Sequence, residues 1–314
     1  EYDLWMNLLP KIQSGYLQAL QNTNGPSDQL ELFQLQEVQK FPNKTDSVKI
    51  DDWSFKRDDI HLIGLRCFQE RRERERGNDD LFILLMNGLV FKFWGSTDPK
   101  PEHTSDGFEP YLVEGQHKYQ FSWHKRSTSS VHKVYKALVP YDKGVLVFRD
   151  WGKTDALDEE DIRKGLLYNK YGAKNRENPN TTINIHWTFD GRNNWSAGCQ
   201  VISGRSYINH KGDLIDCSAF SAPSYGTVSS VSTKGVRKNR GAYTFISDFV
   251  YAYSRSDQDY LFYTLGRDGA LQEYADQELL DLLNKQLANR RFDSAKLSGE
   301  AIVHGMVSEM KALG

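Results

Sequence analysis

The stretches Thr181-Thr-Ile-Asn-Ile-His-Trp187 and Trp195-Ser-Ala-Gly-Cys-Gln200 decide how this chain is interpreted. The first alternates polar and apolar residues, as a strand with one buried face does, and Asp190-Gly191 follows it as a turn signal. We therefore predict a β-hairpin with Cys199 on its returning arm, close to His186.

A cysteine and a histidine held together form a candidate catalytic dyad. The thiolate of a cysteine is the nucleophile, so Cys199 needs a neighbouring base such as His186 to react at neutral pH. The chain has three cysteines, too few for a disulfide framework. Because the count is odd, at least one cysteine must keep a free thiol. Cys67 is interpreted as a core residue, whereas the role of Cys217 stays open, with packing under the stretch 203–240 as one interpretation.

The bulk composition is that of a globular enzyme. The chain has 314 residues, 39% of them hydrophobic, so it can bury a sizeable core. The formal net charge of -2 gives no overall attraction to a polyanion, and the arginines from Arg71 to Arg76 alternate with glutamates. We therefore expect no nucleic-acid partner. The longest apolar runs, such as Leu81 to Met86, are too short to cross a bilayer, so no membrane span is expected.

Three regions follow one another along the chain. Residues 1–57 open with apolar residues at helical spacing and predict a helical N-terminal extension, either a packing layer against the main domain or a separate recognition module. Residues 58–276 contain short β-type runs between turn residues and predict a mostly β catalytic domain. Residues 277–314 predict a pair of C-terminal helices. The expected fold class is mostly β, of the α+β type.

The predicted strands share β-branched or aromatic residues and flanking turn signals. They are His61 to Phe68, Leu81 to Trp94, Lys118 to Trp123, Lys133 to Pro140, Gly144 to Phe148, Ile183 to Trp187, Tyr243 to Tyr253 and Tyr260 to Leu265.

The two opening stretches resemble the catalytic motif of the L,D-transpeptidase (YkuD-type) family, in its divergent branch with Trp-Ser-Ala-Gly-Cys-Gln. The hexapeptide around Cys199 is the specific part of this resemblance. Shorter segments that agree in order extend it over residues 60–270. These are Ile63-Gly-Leu-Arg66, Asn78-Asp79, Ser96-Thr-Asp-Pro99, His124, Ala137-Leu-Val-Pro140 and Arg149-Asp150. The resemblance implies a YkuD-like β-sandwich catalytic domain.

The resemblance also implies a reaction on the peptide stems of peptidoglycan, with no cofactor and no metal. Cys199 would attack a carbonyl between an L-configured centre and a terminal D-amino acid, with His186 as the base, and form a thioester. Backbone N–H groups at Gly198 and Cys199 would stabilise the oxyanion, and Ser196 would hold the turn or bond to the histidine. Water, a free D-amino acid or a stem amine as acceptor would give carboxypeptidation, exchange or transpeptidation.

Three positions depart from the commoner family pattern. Trp187 stands where the family often has Gly or Ser, so a backbone carbonyl or a residue from elsewhere must fix the imidazole tautomer of His186. Ala197 replaces the usual second histidine, which leaves the base role to His186. The basic residue that often follows the cysteine in the family is missing, and Gln200-Val-Ile202 stands in its place. The Ser/Gly-rich stretch 203–240 is expected to act as a lid.

Four side chains are predicted to contact the substrate: Trp187, Trp195, Gln200 and His124. For both tryptophans plain core packing is the competing interpretation. For His124, the position of a histidine in the resembling branch favours a cleft residue, and a surface or core histidine is the alternative.

Other functions stay open at this level. A zinc site built from His186, Cys199, His210 and Cys217 is the weakest alternative, because the intervals do not match paired zinc-ligand spacing. A non-catalytic wall-binding protein would account for the lost second histidine, and another cysteine peptidase or amidase of the envelope would use the same dyad.

The resemblance implies a location in the periplasm or cell envelope of the producing or a target cell. No signal segment is visible at the start of the printed chain. A delivered antibacterial effector, with an immunity or delivery protein as partner, is the specialised form of this expectation.

Overall fold

The protein has an α+β fold that consists mostly of β-strands, as the sequence predicts. The computed structural model describes residues 1–21, 45–66, 78, 80–99, 110–124, 133–149, 161, 179–189, 196–219, 221–228 and 237–288. The strands are β1 (His61–Arg66), β2 (Asp80–Met86), β3 (Leu89–Ser96), β4 (Pro110–Leu112), β5 (Gly115–His124), β6 (Tyr135–Pro140), β7 (Val147–Arg149), β8 (Ile185–Trp187), β9 (Gln200–Ile208), β10 (Leu214–Asp216) and β11 (Leu261–Arg267). The helices are α1 (Tyr2–Gln21), α2 (Ala242–Tyr253), α3 (Asp268–Tyr274) and α4 (Gln277–Ala288).

Eight of these strands form a closed barrel. Their order is β9-β3-β2-β1-β11-β5-β6-β8, and β8 pairs with β9 to close the ring, while β10 extends β9. Strands β4 and β7 form a separate two-stranded sheet. The β2–β3 hairpin turns at Asn87 and Gly88, whose φ angles of 51° and 78° suit the tight turns that connect twisted antiparallel strands.

The barrel interior is one apolar core to which all eight barrel strands contribute, and α2 covers it with Tyr243, Ile246 and Val250. A second core lies between the outer face of the barrel and the helices α1, α3 and α4. Successive residues of β2 contribute to the two cores in turn. Phe82, Leu84 and Met86 point into the barrel, whereas Leu81, Ile83 and Leu85 point toward the helices. The terminal helices therefore pack as a layer on the barrel.

A buried ion pair supports this packing. Glu1 accepts an ion-pair contact from Lys92 of β3, whose side chain is fully buried, and a 2.9 Å hydrogen bond from Gln286 of α4. The beginning of α1 is thus joined to both the barrel and the C-terminal helix.

Three sequence predictions about local structure are wrong in whole or in part. The run from Tyr243 to Tyr253 is helix α2, because its buried residues recur at helical spacing. The predicted hairpin is absent, because β8 and β9 are parallel neighbours, with Ile185 paired to Gln200 and Trp187 to Ile202. The stretch 203–240 does not begin as a lid, since β9 extends to Ile208 within the barrel wall.

Some predictions fall outside the described residues. These are the helix expected over Leu30 to Val38, the run from Arg71 to Arg76, the second C-terminal helix after Phe292, and Cys67. Among the described residues, no helix combines the length and the apolar character needed to cross a membrane.

Candidate active site

Cys199 lies in a tight turn immediately before β9, and its side chain is half-buried. Ser196 holds this turn, since its hydroxyl donates to the carbonyl oxygen of Cys199 at 2.6 Å and accepts from the N–H of Gly198 at 3.2 Å. The predicted turn-holding role of Ser196 agrees with these bonds. The predicted oxyanion role of the Gly198 N–H does not, because that N–H already donates to Ser196.

Gly198 is required by the shape of this turn. Its φ of 137° lies in a region that residues with a Cβ rarely adopt. A Cβ at this position would also lie 2.9 Å from the carbonyl oxygen of Pro110 and overlap the ring of that proline. The first residue of β4 therefore packs directly against the backbone that carries the thiol.

The parallel pairing of β8 and β9 places Asn184 beside Cys199. The N–H of Asn184 lies 3.4 Å from the Cys199 sulfur, and the N–H of Gln200 donates to the Asn184 carbonyl at 2.9 Å. The thiol itself lies 3.3 Å from the carbonyl oxygen of Thr182, to which it can donate. The sulfur thus has a backbone acceptor for its proton and a backbone N–H that can stabilise a thiolate.

His186 lies on the same side of the barrel wall as Cys199. Ile185 and Trp187 belong to the interior core, so the side chain between them faces outward. Gln200 also points inward, which turns its neighbour Cys199 outward. In the parallel register His186 pairs with Val201, and Cys199 precedes Val201 by two residues, so both side chains lie on the same side of the wall.

The tautomer of His186 is fixed by its own strand. Its Nδ1 lies 3.0 Å from the carbonyl oxygen of Trp187, which can only accept a hydrogen bond. Nδ1 therefore carries the proton, and Nε2 is the basic atom. The backbone carbonyl that must fix this tautomer in the absence of a neighbouring hydroxyl is thus that of Trp187 itself.

His124 joins the two candidate catalytic residues. Its ring stacks on that of His186, with centroids 5.0 Å apart and an interplanar angle of 22°. Its Nδ1 lies 3.2 Å from the side-chain amide nitrogen of Asn184. Tyr135 of β6 contacts the His124 ring edge-on at 5.3 Å. Four residues from three places in the sequence, His124, Asn184, His186 and Cys199, thus form one cluster on the outer wall of the barrel.

Trp187 is a core residue, so its predicted contact with substrate is wrong. Its side chain is 1% exposed and packs edge-on against Tyr135 and Tyr225. The guanidinium of Arg240 lies 4.2 Å from the ring centroid of Tyr135 and 5.7 Å from that of Trp187. These contacts hold Trp187 in the apolar core and fix the strand that carries His186. Trp195 lies outside the described residues.

Gln200 is also buried, and its predicted contact with substrate is wrong for the same reason. It is 0% exposed, donates to the carbonyl oxygen of Thr97 at 3.0 Å, and accepts from the Tyr263 hydroxyl at 2.8 Å. Burial raises the pKa of Tyr263 well above its usual range, which keeps this hydroxyl a donor. Gln200 anchors the first residue of β9 to the barrel interior, directly behind the thiol.

A buried ionic network shares Thr97 with Gln200. Arg66 donates to the hydroxyl and carbonyl oxygens of Thr97 at 3.0 and 3.1 Å and forms ion pairs with Asp98 at 3.2 Å and Glu114 at 3.5 Å. Arg267 binds the same Glu114 oxygen at 2.6 Å. This network joins two of the short segments on which the family resemblance depends, Ile63-Gly-Leu-Arg66 and Ser96-Thr-Asp-Pro99. Both segments therefore support the strand end next to Cys199.

The residues considered for zinc do not converge. Nine-residue β9 separates Cys199 from His210, a span of about 30 Å at about 3.3 Å per residue. Cys217 is buried, and burial raises the pKa of its thiol to about 12. Among the described residues, no group of three or more His, Cys, Asp or Glu side chains could hold a metal ion. His210 is likewise too far away to serve as an alternative base.

Sequence reasoning missed the role of Asn184. Asn184 lies within Ile183-Asn-Ile-His186, where the alternating pattern predicts only a strand position for it. A sequence signal exists for it: Asn184 precedes His186 by two residues, so in a strand both polar side chains lie on the same face. Thr182 was missed because it acts through its carbonyl oxygen, which has no side-chain signature.

Comparison with known proteins identifies no relative. No family model, no curated protein and no solved structure matches the chain.

Proposed function

We propose that this protein is a cysteine acyltransferase of the L,D-transpeptidase type, acting on peptidoglycan stem peptides through a thioester at Cys199. The observation that supports it best is that Asn184 joins the half-exposed thiol to the stacked histidine rings: its N–H lies 3.4 Å from the Cys199 sulfur, and its side-chain amide lies 3.2 Å from Nδ1 of His124, whose ring stacks on His186. A nucleophile, a base with a fixed tautomer and a residue that orients the neighbouring ring are the parts that such catalysis needs.

In the proposed reaction, Nε2 of His186 takes the proton from the Cys199 sulfur, and the sulfur attacks the carbonyl before a terminal D-amino acid. The C–N bond breaks, the amine leaves with the proton returned by His186, and the acyl group stays on sulfur as a thioester. The N–H of Asn184, 3.4 Å from the sulfur, stabilises the thiolate before attack. Water or an amine then cleaves the thioester and restores the thiol.

The assignment to the YkuD type is part of the same proposal and rests on the motif around Cys199, since the strands form a closed barrel where a two-sheet sandwich was expected. The closed barrel differs from a two-sheet sandwich in having no free edge along β8 and β9, so the pairing that places Asn184 beside Cys199 is locked on both sides. The proposal carries with it a location in the periplasm or cell envelope and, for a delivered effector, an immunity or delivery protein as partner.

Covalent labelling tests the chemistry directly. The wild-type chain, incubated with a carbapenem and measured by intact-mass spectrometry, should gain one adduct, which peptide mapping should place on Cys199. The variant Cys199→Ala should gain none. The variant Cys217→Ala is the matched control, because it removes a buried thiol and should leave the adduct unchanged.

The substrate is tested on sacculi. Mass spectrometry of muropeptides after treatment with wild type should show loss or exchange of the terminal D-amino acid, or new 3→3 cross-links, and Cys199→Ala should leave the profile unchanged. Labelling that persists in Cys199→Ala would refute the nucleophile. Labelling at Cys199 with no change in the muropeptides would refute the substrate class and favour another cysteine peptidase or amidase. Binding to sacculi with neither result would favour a wall-binding protein.

A further inference from the structure

A cleft rich in lysine lies apart from the cysteine cluster, between the segment that follows residue 44 and the strands β5 and β11. Its volume is about 520 Å³, which is sufficient for a small organic ligand. The charged side chains that line it are Lys49, Lys56, Lys118, Lys143, Asp52 and Asp59.

The positive charge of this cleft is not neutralised from within. None of the four lysine side chains forms an ion pair with a carboxylate within the described part of the chain. Asp59 accepts a hydrogen bond from the Ser54 hydroxyl at 2.9 Å. Four cations against two carboxylates leave an excess of positive charge, whose mutual repulsion a bound anion would relieve.

Two of the lysines are held in place, one by its side chain and one by its backbone. Lys118 holds its ammonium group 4.8 Å from the centroid of the Tyr260 ring, which is a cation–π contact. The loop that carries Lys143 is held by Asp46, which accepts the consecutive N–H groups of residues 142, 143 and 144 at 3.0, 2.8 and 2.7 Å. A binding site built on fixed backbone loses less entropy when a ligand binds.

We propose that this cleft binds a small ligand that carries phosphoryl groups. Each phosphoryl group bears a charge of about -1.5 to -2 at neutral pH and accepts hydrogen bonds in several directions. Lysines act as point charges with rotatable donors and suit this geometry, whereas a planar carboxylate is better matched by the arginine fork, and no arginine lines the cleft among the described residues. Val48 and Tyr260 form an apolar wall for the organic part of the ligand.

Inorganic pyrophosphate is the probe for this site, titrated at low ionic strength by calorimetry and phosphorus NMR. Saturable binding is expected for wild type. The double variant Lys56→Gln and Lys143→Gln removes two exposed cleft charges and should weaken binding about tenfold or more. The matched control, Lys211→Gln with Lys285→Gln, removes the same charge at exposed positions outside the cleft and should stay within about twofold of wild type. Unchanged thermal unfolding of both variants checks the fold.

Three results would overturn the proposal. One is the absence of saturable binding by wild type, and another is an equal loss in the cleft and control variants. The third is equal affinity for tricarballylate, which would show that the cleft responds to charge without preference for phosphoryl groups. The site is independent of the thiol chemistry, so Cys199→Ala should bind pyrophosphate as wild type does.

Discussion

Acidification from pH 8 to pH 5 should destabilise the folded protein by about 2 kcal/mol through His117 alone. This residue of β5 is fully buried; its Nε2 lies 2.9 Å from the carbonyl oxygen of Val113, and its Nδ1 lies 2.9 Å from the Ser47 hydroxyl. Burial lowers the pKa of His117 from 6.5 to about 4, with the charge of Arg66 acting in the same direction and the bond to Val113 opposing it.

The sign follows from the depressed pKa. In the folded protein His117 stays neutral at pH values where the unfolded chain already binds a proton, so its contribution to stability is complete above pH 6.5 and is lost as the pH falls toward 4. The difference between the two pKa values corresponds to about 3 kcal/mol at the acid limit, of which about 2 kcal/mol is lost by pH 5.

Urea unfolding at several pH values between 8 and 5 measures this effect. His117→Gln keeps an amide N–H for the Val113 carbonyl and cannot take up a proton, so its loss of stability across this range should be about 2 kcal/mol smaller than that of wild type. His210→Gln is the control, because it replaces an exposed histidine. Equal losses in wild type and His117→Gln would refute the reasoning, as would an NMR titration of folded wild type in which the His117 ring is protonated near pH 6.5.

His186→Ala should slow covalent labelling by about 100-fold to 10,000-fold, almost as completely as Cys199→Ala, whereas His124→Ala should slow it only about tenfold; the reverse order would make His124 the base. Gly198→Ala should destabilise the fold by about 1–3 kcal/mol in urea unfolding and slow labelling about tenfold, because the new methyl group overlaps Pro110 in a strained turn. Gly226→Ala is the matched control, since a Cβ there meets nothing within 4 Å, and an equal effect in both variants would contradict the argument.

Much of the fold follows from local patterns in the sequence. The run from Leu81 predicts strand because it is apolar throughout, and the structure shows why: its two faces are buried in two different cores. The run from Tyr243 to Tyr253 was wrongly predicted as a strand, because aromatic and β-branched residues favour strands. Its helical conformation is set by packing over the barrel interior. The exposed Tyr251 and Tyr253 obscured the helical spacing of the buried residues.

Within the candidate site, the sequence by itself determined the features that depend on near neighbours: the turn that Ser196 and Gly198 form before Cys199, and the strand that carries His186. Only the tertiary structure decided that β8 and β9 run parallel, that His124 stacks on His186, and that Trp187 and Gln200 are buried. The physical reason is that a strand's hydrogen-bonding edge accepts many partners, and closing an eight-stranded barrel selects among them. Once the strand partners are selected, each side chain of β8 and β9 is directed either into the core or toward the face that carries the thiol.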